Sequence, residues 1–335
     1  MTDLYNKIKG GFYGQAFGDA WAMPAFLNPQ QTWDYYGGYI ETFLDGPKEH
    51  PVHHILTAGQ VTDDTEQAAA IAEVIIQEGE VTAKGIAQAL VNWYERIGGD
   101  DSPYVGPSSR RAIQAIKRGE DLQEVGRFGD TNGAAMRISP IGLINQGNVQ
   151  QAIKDAATSC IPSHNTDVAV SGAAAVAGAI AAALAPGSTL EDVVNTGVRA
   201  AEEGRQYGNV WLGASIPRRI EWAVDLVSTD KPLRDRLQDV YDLVGTSLAM
   251  SESVPAAFGV LVLAEGDPTR VAILSAALSG DADTVAAIAC AIAGAWKGIE
   301  AFDPDHLRTL ENANPWLDFS GLVEGLHQVA LKRDS

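Results

Sequence analysis

The sequence predicts an all-α fold, a single compact orthogonal helical bundle over residues 1–335. Apolar residues recur at helical spacing along almost the whole chain, Gly or Pro punctuates the ends of those runs, and clear alternating strands are missing. In order, the pattern predicts helices over residues 4–23, 65–77, 83–96, 108–117, 149–159, 167–184, 190–204, 217–226, 233–246, 254–264, 268–279, 284–300 and 322–331. Stops fall at Gly79, Gly98-Gly99, Gly119, Pro186-Gly187 and Gly266-Asp267-Pro268. No linker with a shift in composition divides the chain. The runs at 167–184 and 284–300 are built from Ala and Gly. Such helices can approach neighbours closely and bring their N-terminal loops into one pocket, although Ala is also simply the best helix former. Residues 24–61 form the longest irregular stretch, and its aromatic content (Trp33, Tyr35, Tyr36, Tyr39, Phe43) argues for order.

Composition narrows the function. The chain is 46% hydrophobic and 20% charged, with a formal net charge of −19. That balance argues against nucleic acid and anionic membrane as partners, since both reward Lys and Arg patches. Cys160 and Cys290 each sit in or beside an apolar stretch and read as buried free thiols in a reducing compartment. The polar residues 1–11 lack the apolar segment of a secretory signal, and residues 168–185 are Ala- and Gly-rich without positive flanks. The expectation is a buried core helix there and a cytoplasmic protein.

Two short acidic motifs carry the chemistry. Thr62-Asp63-Asp64-Thr65 and Asp281-Ala282-Asp283-Thr284 stand more than 200 residues apart, and each opens a long small-residue helix. Either alone reads as a good helix cap. Two such ends with paired carboxylates are harder to explain by capping, because an unpaired buried carboxylate costs several kcal/mol. Hard oxygen donors without His or Cys suit Mg²⁺, or Mn²⁺, better than Zn²⁺. Four carboxylates could hold two such ions for hydrolysis.

These motifs, in order with Gly10-Gly11-Phe12-Tyr13-Gly14, Gly18-Asp19-Ala20, Gly106-Pro107-Ser108-Ser109-Arg110-Arg111-Ala112, Asn132-Gly133-Ala134-Ala135-Met136-Arg137 and Ser163-His164, resemble the ADP-ribosylglycohydrolase family over nearly the whole chain. The resemblance implies an all-α bundle and a Mg²⁺-dependent hydrolase of an N-ribosyl bond. Its binuclear metal site would comprise Thr62, Asp63 and Asp64 with Asp281, Asp283 and Thr284, with Asp63 and Asp64 as the catalytic carboxylates. It further implies substrate contacts from Asp130, Asn132, Gly133, Ala134, Met136 and His164, and a ribosyl or ADP-ribosyl compound or modified protein as substrate. The alternative is a catalytically altered ADP-ribose-binding or structural member.

Two positions depart from the family pattern. Phe26 (or Ala25) stands where many relatives carry Glu, and Tyr104 where many carry Asp. Two aromatic residues there would grease the pocket, disfavour a cationic guanidinium leaving group and favour a compact ribosyl compound with a flat base. Weaker signals resolve against function. Ser163-His164 with Asp167 lacks the strand–nucleophile–helix elbow of a triad hydrolase, and Gly10-Gly11 with Gly14 has no preceding strand for a dinucleotide fold. His50, His53 and His54 could bind a transition metal but read first as a satisfied or solvent-facing cluster.

Overall fold

The computed structural model describes residues 3–102 and 104–333. Seventeen α-helices make up the described fold. The first nine are α1 Asp3–Ala22, α2 Pro29–Tyr36, α3 Asp63–Glu78, α4 Ala83–Arg96, α5 Pro107–Lys117, α6 Leu122–Val125, α7 Ser139–Leu143, α8 Val149–Cys160 and α9 Asp167–Leu184. There follow α10 Leu190–Gly204, α11 Ile216–Val227, α12 Leu233–Asp239, α13 Met250–Leu263, α14 Pro268–Leu278, α15 Ala282–Lys297, α16 Pro304–Ala313 and α17 Phe319–Arg333. No strand occurs among the described residues; two isolated β-bridges, Thr131 with Ala249 and Thr166 with Asn209, tie loops together. Every run expected from periodicity holds an α-helix, although that over 233–246 is cut short. The pattern overlooked four short or strongly polar ones, α2, α6, α7 and α16, whose few turns give periodicity too little length to register.

The centre of the molecule is the antiparallel pair α1 and α15. Gly10, Gly14 and Gly18 form a stripe one turn apart on α1, facing Gly294, Cys290 and Ala286 of α15 in reverse order. A Cβ added at Gly14 would collide with the Cys290 carbonyl, and one at Gly18 with the Ala286 carbonyl. The two backbones therefore touch, and the C-terminal turn of α1, with Asp19, is delivered to the N-terminus of α15, with Asp281 and Asp283. Overpacking a tight interface costs typically about 1–3 kcal/mol. Gly14→Ala should therefore destabilise the protein by that amount, seen as a lower urea midpoint with the denaturant slope unchanged. An unmoved midpoint would show that the two helices can separate freely.

α9 satisfies a membrane span by length and composition, yet all 18 of its residues are buried inside the protein. It packs between α8 and α10, and also meets α15. The run expected over 233–246 is not one α-helix. α12 passes at Val240 into a π-turn, Val240–Val244, which ends at Gly245 with φ 89°. The wider turn carries Tyr241 and Asp242 to the cavity described next.

Candidate active site

One cavity of about 710 Å³ opens where α1, α3 and α15 meet. Asp63, Asp64, Asp281, Asp283 and Thr284 form its acidic wall, and Thr131, Asn132, Gly133 and Met136 face them. Helix capping does not account for these carboxylates. Thr62 already caps α3 by accepting the Asp64 amide at 3.3 Å, so Asp63 and Asp64 are left over. Asp281 occupies the N-cap of α15 without bonding a backbone amide there, and its Oδ2 instead accepts from Asn132 Nδ2 at 2.5 Å. Thr62 lies buried behind the wall, outside the cavity lining.

Asp19 is a site residue that the sequence offered only as part of a motif. Fully buried at the end of α1, it accepts from the amides of Thr62 (3.1 Å) and Thr65 (3.2 Å) and from the Thr65 hydroxyl (2.5 Å). It thereby pins the start of α3 and adds a fifth carboxylate to the cluster. Burial, and then mutual repulsion centred on Asp283, pushes these groups above the ordinary carboxylate range. Asp19 and Asp281 rise to about 7, and Asp63 and Asp64 rise well above their usual value. Asp283 reaches about 6 through burial, held back by the amides at the head of α15. One oxygen, Asp64 Oδ2, is buried with no hydrogen-bond partner.

An orphaned carboxylate oxygen among mutually repelling carboxylates fits a hard divalent cation in donor chemistry. Among the described residues, however, no three His, Cys, Asp or Glu side chains are gathered into a ready-made metal cage. The carboxylates share a cavity; they do not already converge on a point.

A buried polar chain ties the acidic wall to the facing loop. Asp63 accepts from Gln67 (2.9 Å), Gln67 accepts from Arg137 (2.7 Å), and Arg137 also donates to Ser163 (2.6 Å). His164 bridges Ser163 Oγ (2.9 Å) to Thr131 Oγ1 (3.0 Å). Arg137 is fully buried and supplies a counter-charge beneath the carboxylates. His164, which the resemblance sets against the ligand, is fully buried and outside the cavity wall. It sits under Gly133, where an added Cβ would stand 2.9 Å from its Nε2, and so supports the loop from below. Ala134 is likewise buried behind the wall, and Asp130 is turned away to accept from Trp211 Nε1 at 3.0 Å. Asp167 accepts the Val168 and Trp211 amides, so Ser163 and His164 have no acid partner there.

The two departures from the family pattern separate. Tyr104 lines the cavity, but Phe26 does not. The Phe26 amide donates to Thr32 Oγ1 (3.0 Å) and its carbonyl accepts from Gly280 N (3.1 Å), which turns the ring onto Tyr35, Tyr36 and His50. Ala25 takes the place in the wall. The expectation of a greased pocket is corrected at Phe26 alone: a methyl group faces the cavity there, Tyr104 stays in the lining, and Asp242 and Glu252 join it. Among the described residues, no Lys or Arg lines the cavity. Its positive pole is the start of α5, where the N-cap Gly106 provides no side-chain cap and Gly106, Pro107 and Ser109 face the space.

The sequence over residues 1–335 matches the family model ADP-ribosylglycohydrolase. The chain is 35% identical over 331 residues to the Escherichia coli (strain K12) protein YegU, covering 98% of each. It is 25% identical to the ADP-ribosylarginine hydrolase Tri1 of Pseudomonas putida (strain GB-1), covering 90% of this chain and 73% of that one. A solved structure titled ADP-ribosylglycohydrolase-related protein complex superposes with a TM-score of 0.71 at 22% identity, covering 98% of this chain and all of the other, which shows the same fold. The protein is thus a hydrolase of the glycosyl class. It belongs to the ADP-ribosylglycohydrolase family.

Proposed function

We propose that the protein is a Mg²⁺-dependent hydrolase, with Mn²⁺ as an alternative, of an N-ribosyl bond in a ribosyl or ADP-ribosyl compound. The observation that carries this reading is the meeting of two acidic helix starts, α3 and α15, across one cavity, with Asp64 Oδ2 left buried and unpaired. Asp63, Asp64, Asp281, Asp283 and Thr284 would hold two cations, with Thr62 behind them. When bound, the cations supply Lewis acidity toward the ribose hydroxyls and the attacking water.

The chain's own groups do the rest. Asp64 takes the proton from the attacking water. The ribose, on which positive charge grows as the bond breaks, lies against carboxylates that stabilise that charge. Asn132 and the backbone at Gly133 hold the sugar, and the start of α5 receives a phosphate where one is present. Tyr104 and His53 lie nearly parallel, 13° between planes, as one side of a slot for a flat group. The acidic rim suits a cationic leaving group, so the ADP-ribosylarginine named for the Pseudomonas relative belongs among the substrates to test.

A second reading rests on Ala25. With a methyl group where many relatives carry Glu, the cavity would bind ADP-ribose without cleaving it. ADP-ribosyl-arginine, ADP-ribosyl-serine and simple nucleosides, assayed side by side with Mg²⁺, Mn²⁺ or chelator, decide between the two. Turnover of an N-ribosyl compound that falls to background with chelator and returns with either ion is expected. ADP-ribose binding without any turnover would establish the second reading, and turnover indifferent to chelator would overturn both metal roles. If the missing carboxylate matters, Ala25→Glu, and not Phe26→Glu, should change the relative rates.

A further inference from the structure

We propose that His53 is an additional ligand of the cation site, giving it a mixed nitrogen and oxygen donor set that favours Mn²⁺ and the later divalent transition metals over Mg²⁺. This rests on the reading of the acidic wall as a cation site. His53 projects from the long segment between α2 and α3 into the cavity, and its Nε2 stands 3.4 Å from Asp283 Oδ2.

The hydrogen bonds assign the tautomer. His53 Nδ1 lies 2.8 Å from the Met23 carbonyl oxygen, which can only accept, so Nδ1 carries the proton. The neutral ring then presents the Nε2 lone pair to Asp283. A lone pair facing a carboxylate oxygen is two acceptors with nothing between them. Two ligands of one ion, each about 2.1 Å from it, stand about 3.0 Å apart at an octahedral angle and about 3.4 Å at a tetrahedral one. The 3.4 Å found here is the tetrahedral separation, and an octahedral ion would draw the two donors about 0.4 Å closer.

The surroundings have the features of a ligating imidazole. Such a histidine usually donates its other ring N–H to a backbone carbonyl or carboxylate, which fixes the ring and raises its basicity; the Met23 carbonyl does this for His53. The ring is further held by a parallel stack on His50, 4.7 Å between centroids and 6° between planes. His50 is itself fixed, with Nε2 donating to the Ala25 carbonyl (3.1 Å) and Nδ1 accepting the amide of His53 (2.8 Å). An ordinary packing histidine needs none of this aim into a carboxylate-lined cavity. Oxygen donors suit Mg²⁺, whereas imidazole suits Mn²⁺ less strongly than it suits Fe²⁺, Co²⁺ and Zn²⁺, and all of these more than Mg²⁺.

The test is cation binding to the full chain. Titration calorimetry with Mg²⁺, Mn²⁺ and Co²⁺ should show tighter binding of the two transition ions. His53→Gln should weaken Co²⁺ and Mn²⁺ by about tenfold or more and leave Mg²⁺ within about threefold. Pulsed electron paramagnetic resonance of the Mn²⁺-loaded natural protein should show coupling to a ring nitrogen, a readout that needs no variant to fold. Cation binding without nitrogen coupling, and with the same ion preference in His53→Gln, would overturn the role of His53 and leave the carboxylate site standing. Failure of every ion to bind the natural protein would overturn the carboxylate site and the inference together.

Discussion

Asp283→Asn should abolish cation-dependent turnover and at the same time make the cation-free protein more stable. Of the charged neighbours, Asp283 contributes most to raising Asp19, Asp63, Asp64 and Asp281. Removing its charge relieves the repulsion on all four while leaving a side chain of the same shape. The relief should be on the order of 1–3 kcal/mol at pH 8, since one pKa unit corresponds to about 1.4 kcal/mol. Cation-assisted catalysis contributes several kcal/mol to the transition state. At about 1.4 kcal/mol per decade, the rate should fall by at least about 10³-fold. The opposite signs separate a functional role from a structural one. A variant that loses both stability and activity would mean that Asp283 serves the fold, and one that keeps full turnover would remove it from the site.

The cation-free protein should lose stability as pH rises from about 4 to about 7, and added Mg²⁺ or Mn²⁺ should flatten or reverse that loss. In the unfolded chain the carboxylates titrate near 4. In the folded protein Asp283 titrates at about 6, and Asp19 and Asp281 at about 7. Between those limits these three carboxyls bind more protons in the native than in the unfolded state, so their contribution declines with pH across the window, and Asp63 and Asp64, raised in the same direction, add to the loss. His50, His53 and His164 are shifted the other way by burial and offset part of this decline below about pH 6.5, whereas Asp100 and Asp192, lowered by hydrogen bonds, lie in solvent where such effects are screened. A cation at a hundredfold excess over its dissociation constant adds about 2.7 kcal/mol, and the same total concentration adds little at pH 4, where protons compete with it. Denaturation curves at pH 5 and pH 8, with and without the ion, measure both effects. Equal or greater stability at pH 8 in chelator would contradict the picture of a strained acidic cluster.

The short elements show where sequence reasoning lost its grip. Helix α2 runs only eight residues, from an Asn28 cap to Gly37 at φ 71°, and its polar face hides within a stretch that reads as irregular. The break of α12 into a π-turn leaves no mark in an apolar pattern that continues through it. Phe26 and Ala25 are adjacent, and alignment by motif cannot say which of two neighbours faces the cavity. The Thr32 hydroxyl and the Gly280 amide decide it, from six residues and from the far end of the chain. His53 offered one signal, a cluster of three histidines, that composition alone could not separate from a solvated turn.

What the sequence determined by itself is local in physical origin. Helical periodicity, Gly and Pro stops, and two acidic openings on small-residue helices specify an all-α chain with carboxylates at helix starts, because each is set by spacing over a few turns. The small residues of α15 also announced a close approach, but not that the glycine stripe of α1 would be its partner. Only the tertiary structure decided which groups meet. The contact of Gly14 and Gly18 with the α15 backbone delivers Asp19 to Asp281 and Asp283, and Asp19 in turn fixes the start of α3. The burial that leaves Asp64 Oδ2 unpaired and the carbonyl that sets the His53 tautomer are likewise contacts between distant segments. Charge and proton placement in the site depend on distances of a few ångströms across those segments, and no local pattern encodes them.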